Sequence, residues 1–261
     1  MVLAFSFCNV SVLPVRREPS HTAEQVNQLL YGERCEVLEI NHKEWAKIRS
    51  EWDSYEGWCK ASQLNFIQRK EYRKGPKYIT SGPNDKFILP DAGIWLPLGS
   101  DLMRCKGIKT QIDGKNAVYK GKRTSVTKLA VNAENLRKAA MHYLHSPYMW
   151  GGRSVAGIDC SGLTQMAYKL CGFPIPRDAS QQANEGKLVD FLQHAQCGDL
   201  AFFDNADGKI VHVGILLDEQ SIIHATETSG HVVIDRIDQG GIISTTLKRR
   251  THNLRLVKRY F

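Results

Sequence analysis

Asp159-Cys160-Ser161-Gly162-Leu163 places a cysteine where a loop hands over to a helix. Upstream, Tyr148-Met149-Trp150-Gly151-Gly152 supplies flexible backbone lined with aromatic side chains. Downstream, Leu163, Met166, Ala167 and Leu170 repeat at i, i+3, i+4, i+7, the spacing of one buried helical face. Asp159 or Ser161 can cap this helix, and Gly172 followed by Pro174 ends it. A thiol in the first turn of a helix meets amide N–H groups without intrahelical partners and their partial positive charge. That environment favours the nucleophilic thiolate. The plainer alternative is a small buried hydrophobe that happens to be cysteine.

A nucleophilic cysteine needs a base, and the C-terminal third offers two histidines. Lys209-Ile210-Val211-His212-Val213-Gly214-Ile215-Leu216-Leu217 alternates and then runs apolar, as a central strand does. Ser221-Ile222-Ile223-His224-Ala225 reads as the next strand, joined to the first through Asp218, Glu219 and Gln220. Neighbouring antiparallel strands can set His212 and His224 side by side on one face. His212 would then take the Cys160 proton while His224 orients the imidazole, a nucleophile–base–orienter arrangement with histidine in the place of the usual acid. Either histidine alone reads as a satisfied core residue; the two together, beside a capped cysteine, read as chemistry.

The order and surroundings of these residues resemble the NlpC-type cell-wall cysteine peptidases, a compact papain-like family. The resemblance spans roughly residues 130 to 261. It rests on the Tyr148-Met149-Trp150-Gly151-Gly152 approach, Asp159-Cys160-Ser161-Gly162-Leu163 and the loop Pro176-Arg177-Asp178-Ala179-Ser180-Gln181-Gln182. It rests equally on Gly198-Asp199-Leu200 before Phe202-Phe203, on His212-Val213-Gly214 and on Ile223-His224-Ala225. The resemblance implies Cys160 as nucleophile, His212 as general base and His224 as the third, polar member. It also implies that Tyr148, Asp159, Ser161 and Ser180 line the substrate groove.

The chain has 261 residues, 42% hydrophobic and 24% charged, which suits two or three small globular domains. No run reaches the length of a membrane-spanning helix. Met1-Val2-Leu3-Ala4-Phe5-Ser6-Phe7-Cys8 is apolar but lacks a basic start and breaks at Asn9, so it reads as a first strand and not a leader. Seven cysteines form no C-x-x-C pair and no zinc spacing. Their apolar settings and the absence of a leader-like start favour a reducing, cytoplasmic compartment. His212, His224 and His231 match no familiar ligand spacing, and a cysteine hydrolase requires neither metal nor other cofactor.

Residues 1–66 alternate short apolar runs with turns and hold one plausible helix. Val26, Leu29 and Leu30 lead into the turn Tyr31-Gly32-Glu33. Strands follow at Cys35 to Ile40, at Trp45 to Ile48 and from Tyr55-Glu56-Gly57-Trp58-Cys59. Closely spaced strands with glycine-bearing turns read as a small barrel, and this one resembles a bacterial SH3-like domain. Residues 67–129 open on the charged run Gln68 to Pro76, read as a linker or solvated turn. Strand-like pieces then lie at Lys77 to Thr80, Gly93 to Leu98 and Ala117 to Lys120, consistent with a second, divergent SH3-like barrel. Ala133 to Met141 reads as the helix that opens the third domain, residues 130–261. The expected fold class is α+β: a papain-like catalytic domain, with a central antiparallel sheet and a nucleophile-bearing helix, preceded by two SH3-like β-barrels.

Two barrels ahead of such a domain resemble the γ-D-glutamyl-L-diamino acid endopeptidases, which trim short peptides released from peptidoglycan. The resemblance implies as substrate a stem peptide, L-Ala-γ-D-Glu-diamino acid, whose free amino end is read by the first barrel. A carboxylate pairing with the ammonium and a phenol packing beside it would suffice. Glu24 and Tyr55 stand where such groups are expected, and Asp159 would complete the pocket. Two alternatives stay open: an N-acetylmuramoyl-L-alanine amidase using the same residues, or a non-catalytic wall-binding protein. The net charge of +8 shows no aromatic interleaving and no nucleic-acid motif, so it reads as a solvated surface with some attraction for anionic muropeptides.

Overall fold

Strict alternation of buried and accessible side chains builds the N-terminal sheet. Leu13 and Val15, Cys35 and Val37, Ala46 and Ile48, and Cys59 project from successive strands into one core, the period-two pattern of a sheet with one face covered. The computed structural model describes residues 1–261 as two units, Met1–Leu129 and Ala130–Phe261.

In the first unit, seven antiparallel strands lie in the order Gln25–Leu30, Val12–Arg16, Glu56–Lys60, Trp45–Ser50, Arg34–Ile40, Ala4–Cys8, Leu64–Ile67. The helix expected within residues 1–66 does not form. Val26, Leu29 and Leu30 lie on the strand Gln25–Leu30, and a 3-10 turn at Ala61–Gln63 is the one helical piece there. Strand pairing to Val12–Arg16 overrides the local helical spacing. Conversely, the charged run read as a linker contains a helix, Arg69–Lys74, ended by Gly75 at φ 62°. Having no buried residue, it carries no apolar period that could reveal it.

A four-stranded sheet follows, ordered Gly93–Trp95, Lys86–Ile88, Lys115–Lys120, Lys109–Ile112, together with the pair Tyr78–Thr80 and Arg123–Ser125. Its core of Phe87, Leu96, Leu102, Ile112, Ala117 and Tyr119 also takes in Tyr31, from the turn that follows strand Gln25–Leu30 of the preceding sheet. The Tyr31 ring meets Phe87 edge-on at 5.4 Å, and the Asp101 N–H donates to the Tyr31 carbonyl at 2.9 Å. This shared packing explains why the two sheets form one unit. It depends on Gly32, whose φ is 78° and whose absent Cβ would stand 1.8 Å from the Asp101 carbonyl oxygen.

In the second unit, helix Ala133–Met141 is capped by the Asn132 side chain and packs against helix Cys160–Leu170. Helix Cys160–Leu170 is buried along almost its whole length and lies against strand Ile210–Leu216. The sheet runs Lys187–Val189, Arg250–Arg259, Leu200–Asp204, Ile210–Leu216, Ser221–Thr226, His231–Asp238, Gly241–Ile243. Gly241–Ile243 also pairs with Arg250–Arg259, so six antiparallel strands close on themselves. The C-terminal strand, with His252, pairs with Leu200–Asp204, which pairs in turn with the strand that carries His212.

Gly32→Ala should destabilise the first unit by about 2 kcal/mol or more, through positive-φ strain and a backbone clash. Urea denaturation followed by tryptophan fluorescence measures it; an unchanged midpoint would show that the turn relaxes freely.

Candidate active site

Asp159 is the N-cap of the helix that begins at Cys160, and its Oδ1 accepts the Gly162 N–H at 2.7 Å. The same carboxylate accepts the Gly151 N–H at 2.8 Å and two bonds from Arg177, Nη1 to Oδ1 at 3.0 Å and Nη2 to Oδ2 at 2.6 Å. Arg177 also donates to the Ser161 hydroxyl at 2.7 Å. All three side chains are buried. A buried charge persists only when paired and hydrogen-bonded, which this cluster achieves. The Asp159 carboxylate is therefore already occupied, and a substrate ammonium would have to share it. The Ser161 hydroxyl is likewise engaged within the cluster. Arg177 belongs to the loop motif read from the sequence but carried no expected role; a buried arginine cannot be told from an exposed one by residue type.

Cys160 keeps 8% of its surface accessible. The Val213 N–H reaches its sulfur, which sets the thiol against strand Ile210–Leu216 one residue from His212. Burial pushes the Cys160 thiol up to about 12, and the Asp159 charge adds to this. The Val213 N–H, the Arg177 guanidinium and the Ser161 N–H oppose the rise without cancelling it. Against the stabilisation that a helix start gives a thiolate, burial and the neighbouring carboxylate act in the opposite direction.

His212 and His224 meet directly, Nε2 of His212 lying 2.9 Å from Nδ1 of His224. The register Ile215↔Ile223 continues to Gly214 opposite His224, so His212 stands diagonally across from it on the same face. Gly214 is required there, because a Cβ would come within 2.9 Å of the His224 Cβ. Burial holds His212 well below an ordinary histidine, and the neighbouring imidazoles of His224 and His252 add to that effect. Its resting form is the neutral base.

Behind the pair, His224 Nε2 lies 3.2 Å from the buried Asp235 carboxylate. His252 stacks on His212 with ring centroids 4.2 Å apart and planes 22° from parallel. Neither residue was anticipated. Asp235 carried one signal, an acid inside the apolar run Val232-Val233-Ile234; His252 sits in a charged strand and carried none. Ligand nitrogens of His212, His224 and His252 lie within 4.8 Å of one another. Stacked rings direct their in-plane lone pairs along nearly parallel planes, however, and no single point serves both His212 and His252 as tetrahedral zinc binding requires.

Tyr148 is half-buried, and its phenol is pushed up by burial and by the nearby Cys160 and Asp159. Ser180 is exposed in the short helix Ala179–Gln182. Glu24 and Tyr55 belong to the other unit. Arg16 pairs with both Gln25 and Trp58, so Glu24 and Tyr55, just upstream of those partners, lie at the same end of the first sheet. Glu24 is exposed and pairs with Arg17 at 3.0 Å; Tyr55 is half-buried.

A cysteine opening a buried helix, set against a strand whose histidine bonds to a second histidine, defines a cysteine peptidase of papain-like fold. Residues 145–251 match the NlpC/P60 family, and residues 15–64 match the bacterial dipeptidyl-peptidase SH3 domain. The dipeptidyl-peptidase 6 of Lysinibacillus sphaericus is 30% identical over 247 residues, covering 85% of this chain and 88% of that protein. The γ-D-glutamyl-L-lysine dipeptidyl-peptidase of Bacillus subtilis (strain 168) is 29% identical, covering 79% of this chain and 74% of that one. In fold, the chain superposes on a crystal structure of an NlpC/P60 family protein from Bacillus cereus ATCC 10987 with a TM-score of 0.82. That match covers 98% of this chain and 99% of the other at 21% identity. The chain belongs to the NlpC/P60 family of peptidoglycan-hydrolysing cysteine peptidases.

With the thiol pushed up and the imidazole held down, His212 must take the Cys160 proton to make the sulfur nucleophilic. In His212→Ala, Cys160 alkylation by iodoacetamide should fall sharply at pH 7 and then climb about tenfold per pH unit toward alkaline pH, following the thiolate fraction. Peptide mass spectrometry reads the rate; equal rates in variant and parent at pH 7 would remove His212 as the base.

Acid should also loosen this unit. His212 is held well below its unfolded value and His252 is lowered to about 4, so the unfolded chain binds more protons than the folded one between pH 6.5 and about 4. The stability from these neutral imidazoles is fully present above about pH 6.5 and is lost as pH falls through that window. Thermal melts from pH 7.5 to 4 should show a falling midpoint, and His252→Gln should flatten the slope.

Proposed function

We propose that this enzyme hydrolyses the γ-D-glutamyl–diamino acid bond of peptides derived from peptidoglycan, acting on chains that begin with a free L-Ala. The observation that carries the chemistry is Cys160 at the start of a buried helix, set against the strand of a His212–His224 pair joined at 2.9 Å. The substrate class is supported by two relatives, a γ-D-glutamyl-L-lysine dipeptidyl-peptidase and a dipeptidyl-peptidase 6, together with the matched SH3 domain.

Cys160 sulfur attacks the γ-carbonyl carbon while its proton passes to His212. The developing oxyanion is steadied by N–H groups of the first helical turn, where the helix dipole is positive. His212 gives the proton to the departing amine of the diamino acid as the C–N bond breaks, leaving a thioester on Cys160. Water then attacks the thioester, His212 takes a water proton, and the returning sulfur recovers it. L-Ala-γ-D-Glu leaves with a new carboxylate.

Glu24 and Tyr55, at one end of the first sheet, read the free ammonium in this proposal; Tyr148 and Ser180 line the groove, with Asp159 and Ser161 holding its floor through Arg177. A site of action in a reducing, cytoplasmic compartment accords with all seven cysteines being free thiols.

Purified enzyme with reduced thiols should release L-Ala-γ-D-Glu from L-Ala-γ-D-Glu-meso-diaminopimelate, read by mass spectrometry, and should leave the N-acetylated tripeptide intact. Cys160→Ala should abolish turnover with an unchanged melting temperature. Absence of the dipeptide from folded protein would refute the assignment, and a muramoyl-bearing product would point instead to an amidase.

A further inference from the structure

The hydrogen bond between the two imidazoles is possible only for particular proton placements, and the surrounding contacts choose one. A neutral imidazole has one N–H and one acceptor nitrogen. A shared bond between Nε2 of His212 and Nδ1 of His224 therefore runs in either direction, and the two directions have opposite consequences. If His212 donates, its Nδ1 is left as an acceptor and can take the Cys160 proton. If His224 donates, His212 carries its proton on Nδ1 and cannot act as base. Symmetry between these states is broken at the far nitrogen of His224, which lies 3.2 Å from Asp235 Oδ2.

Asp235 can only accept there. Burial opposes its ionisation, yet bonds from His224 and from the backbone and hydroxyl of Thr245 hold its carboxyl below the usual range. Its other oxygen, Oδ1, takes the Thr245 N–H and the Thr245 hydroxyl, each at 2.8 Å. Two donors on Oδ1 fix the carboxylate plane, so Oδ2 is directed at His224. An ionised carboxylate forces His224 to carry its proton on Nε2. His224 Nδ1 then accepts, His212 Nε2 must donate, and His212 Nδ1 becomes the acceptor. Asp235 is 3% exposed and His224 is fully buried, so water has little access to relax this order.

We propose that Asp235 is a positioning residue that sets the proton arrangement of both imidazoles, extending the catalytic line to Cys160–His212–His224–Asp235 and anchoring it on Thr245. This rests on the roles of Cys160 and His212 given above. Asp235 touches no reacting atom and acts through His224. The ionisable neighbours grouped about it are His224 and His252, the latter perpendicular to the His224 ring at a centroid distance of 5.8 Å.

Two substitutions separate proton ordering from mere support. In Asp235→Asn the Thr245 donors hold the amide oxygen, which turns the NH2 toward His224. His224 Nε2 must then accept, and the whole order reverses. Asp235→Ala removes the order without imposing the wrong one. The kcat should therefore fall in the sequence parent, Asp235→Ala, Asp235→Asn, with the asparagine variant reduced by roughly a hundredfold or more and KM little changed. A residue that only fills space gives the opposite ranking, since alanine leaves the larger void.

The tautomers are read directly from long-range 1H–15N histidine spectra of the whole protein at pH 7.5. The parent should show His212 protonated on Nε2, and Asp235→Asn should show it protonated on Nδ1. This readout and the iodoacetamide rate at Cys160 need no peptide substrate, so failure of the substrate assignment leaves them intact. An Asp235→Asn variant with parental tautomers, or with kcat and alkylation losses no greater than in Asp235→Ala, would overturn the proposal.

Discussion

One hydrogen bond, imidazole to imidazole, governs how this site is built. Nε2 of His212 and Nδ1 of His224 share a proton at 2.9 Å inside a closed sheet. The contact requires their protons to be ordered, because two imidazolium ions would repel and two facing acceptors would leave the pair without a hydrogen. The rest of the unit serves that condition. The register of Ile210–Leu216 against Ser221–Thr226 puts the rings diagonally across one face, and Gly214 leaves the gap into which His224 fits. Burial keeps the proton count low, and the last strand supplies His252 as a stacked wall.

A second buried cluster does a different task on the nucleophile's side. Asp159, Arg177 and Ser161 bind the loop Pro176 to Gln182, the glycines at 151 and 152, and the start of the Cys160 helix into one piece. Net stabilisation from a buried ion pair is small, since desolvation offsets the attraction, but losing one partner costs about 3–5 kcal/mol. The cluster is thus better understood as a device for placement than for stability. It fixes the start of the Cys160 helix while the imidazole pair fixes the base, and the Val213 amide ties the sulfur to the His212 strand.

Much of this was legible because chemistry and punctuation fall on the same residues. Asp159 before Cys160 is a capping residue as well as a motif member, so helix Cys160–Leu170 could be placed from sequence together with its nucleophile. His212 and His224 sit in apolar alternation, which reveals strand and face together. Legibility failed where the determining partner is distant in sequence. Asp235 reaches His224 through a register that the sequence does not state, and His252 reaches His212 through the pairing of the last strand with Leu200–Asp204. Helix Arg69–Lys74 has no buried side to betray it, and Val26, Leu29 and Leu30 mimic helical spacing while tertiary pairing makes them a strand.

The resting charge state gives these parts a common logic. Local dipole arguments favour a thiolate at a helix start, yet here the sulfur is buried beside a carboxylate, and the opposing N–H groups do not restore ionisation. During attack the oxyanion, the imidazolium and the helix terminus attract one another, and a dry site strengthens that attraction. Such a site needs a base whose acceptor nitrogen points the right way before substrate arrives. Proton order on the imidazole pair is the quantity that Asp235 and Thr245 are placed to control.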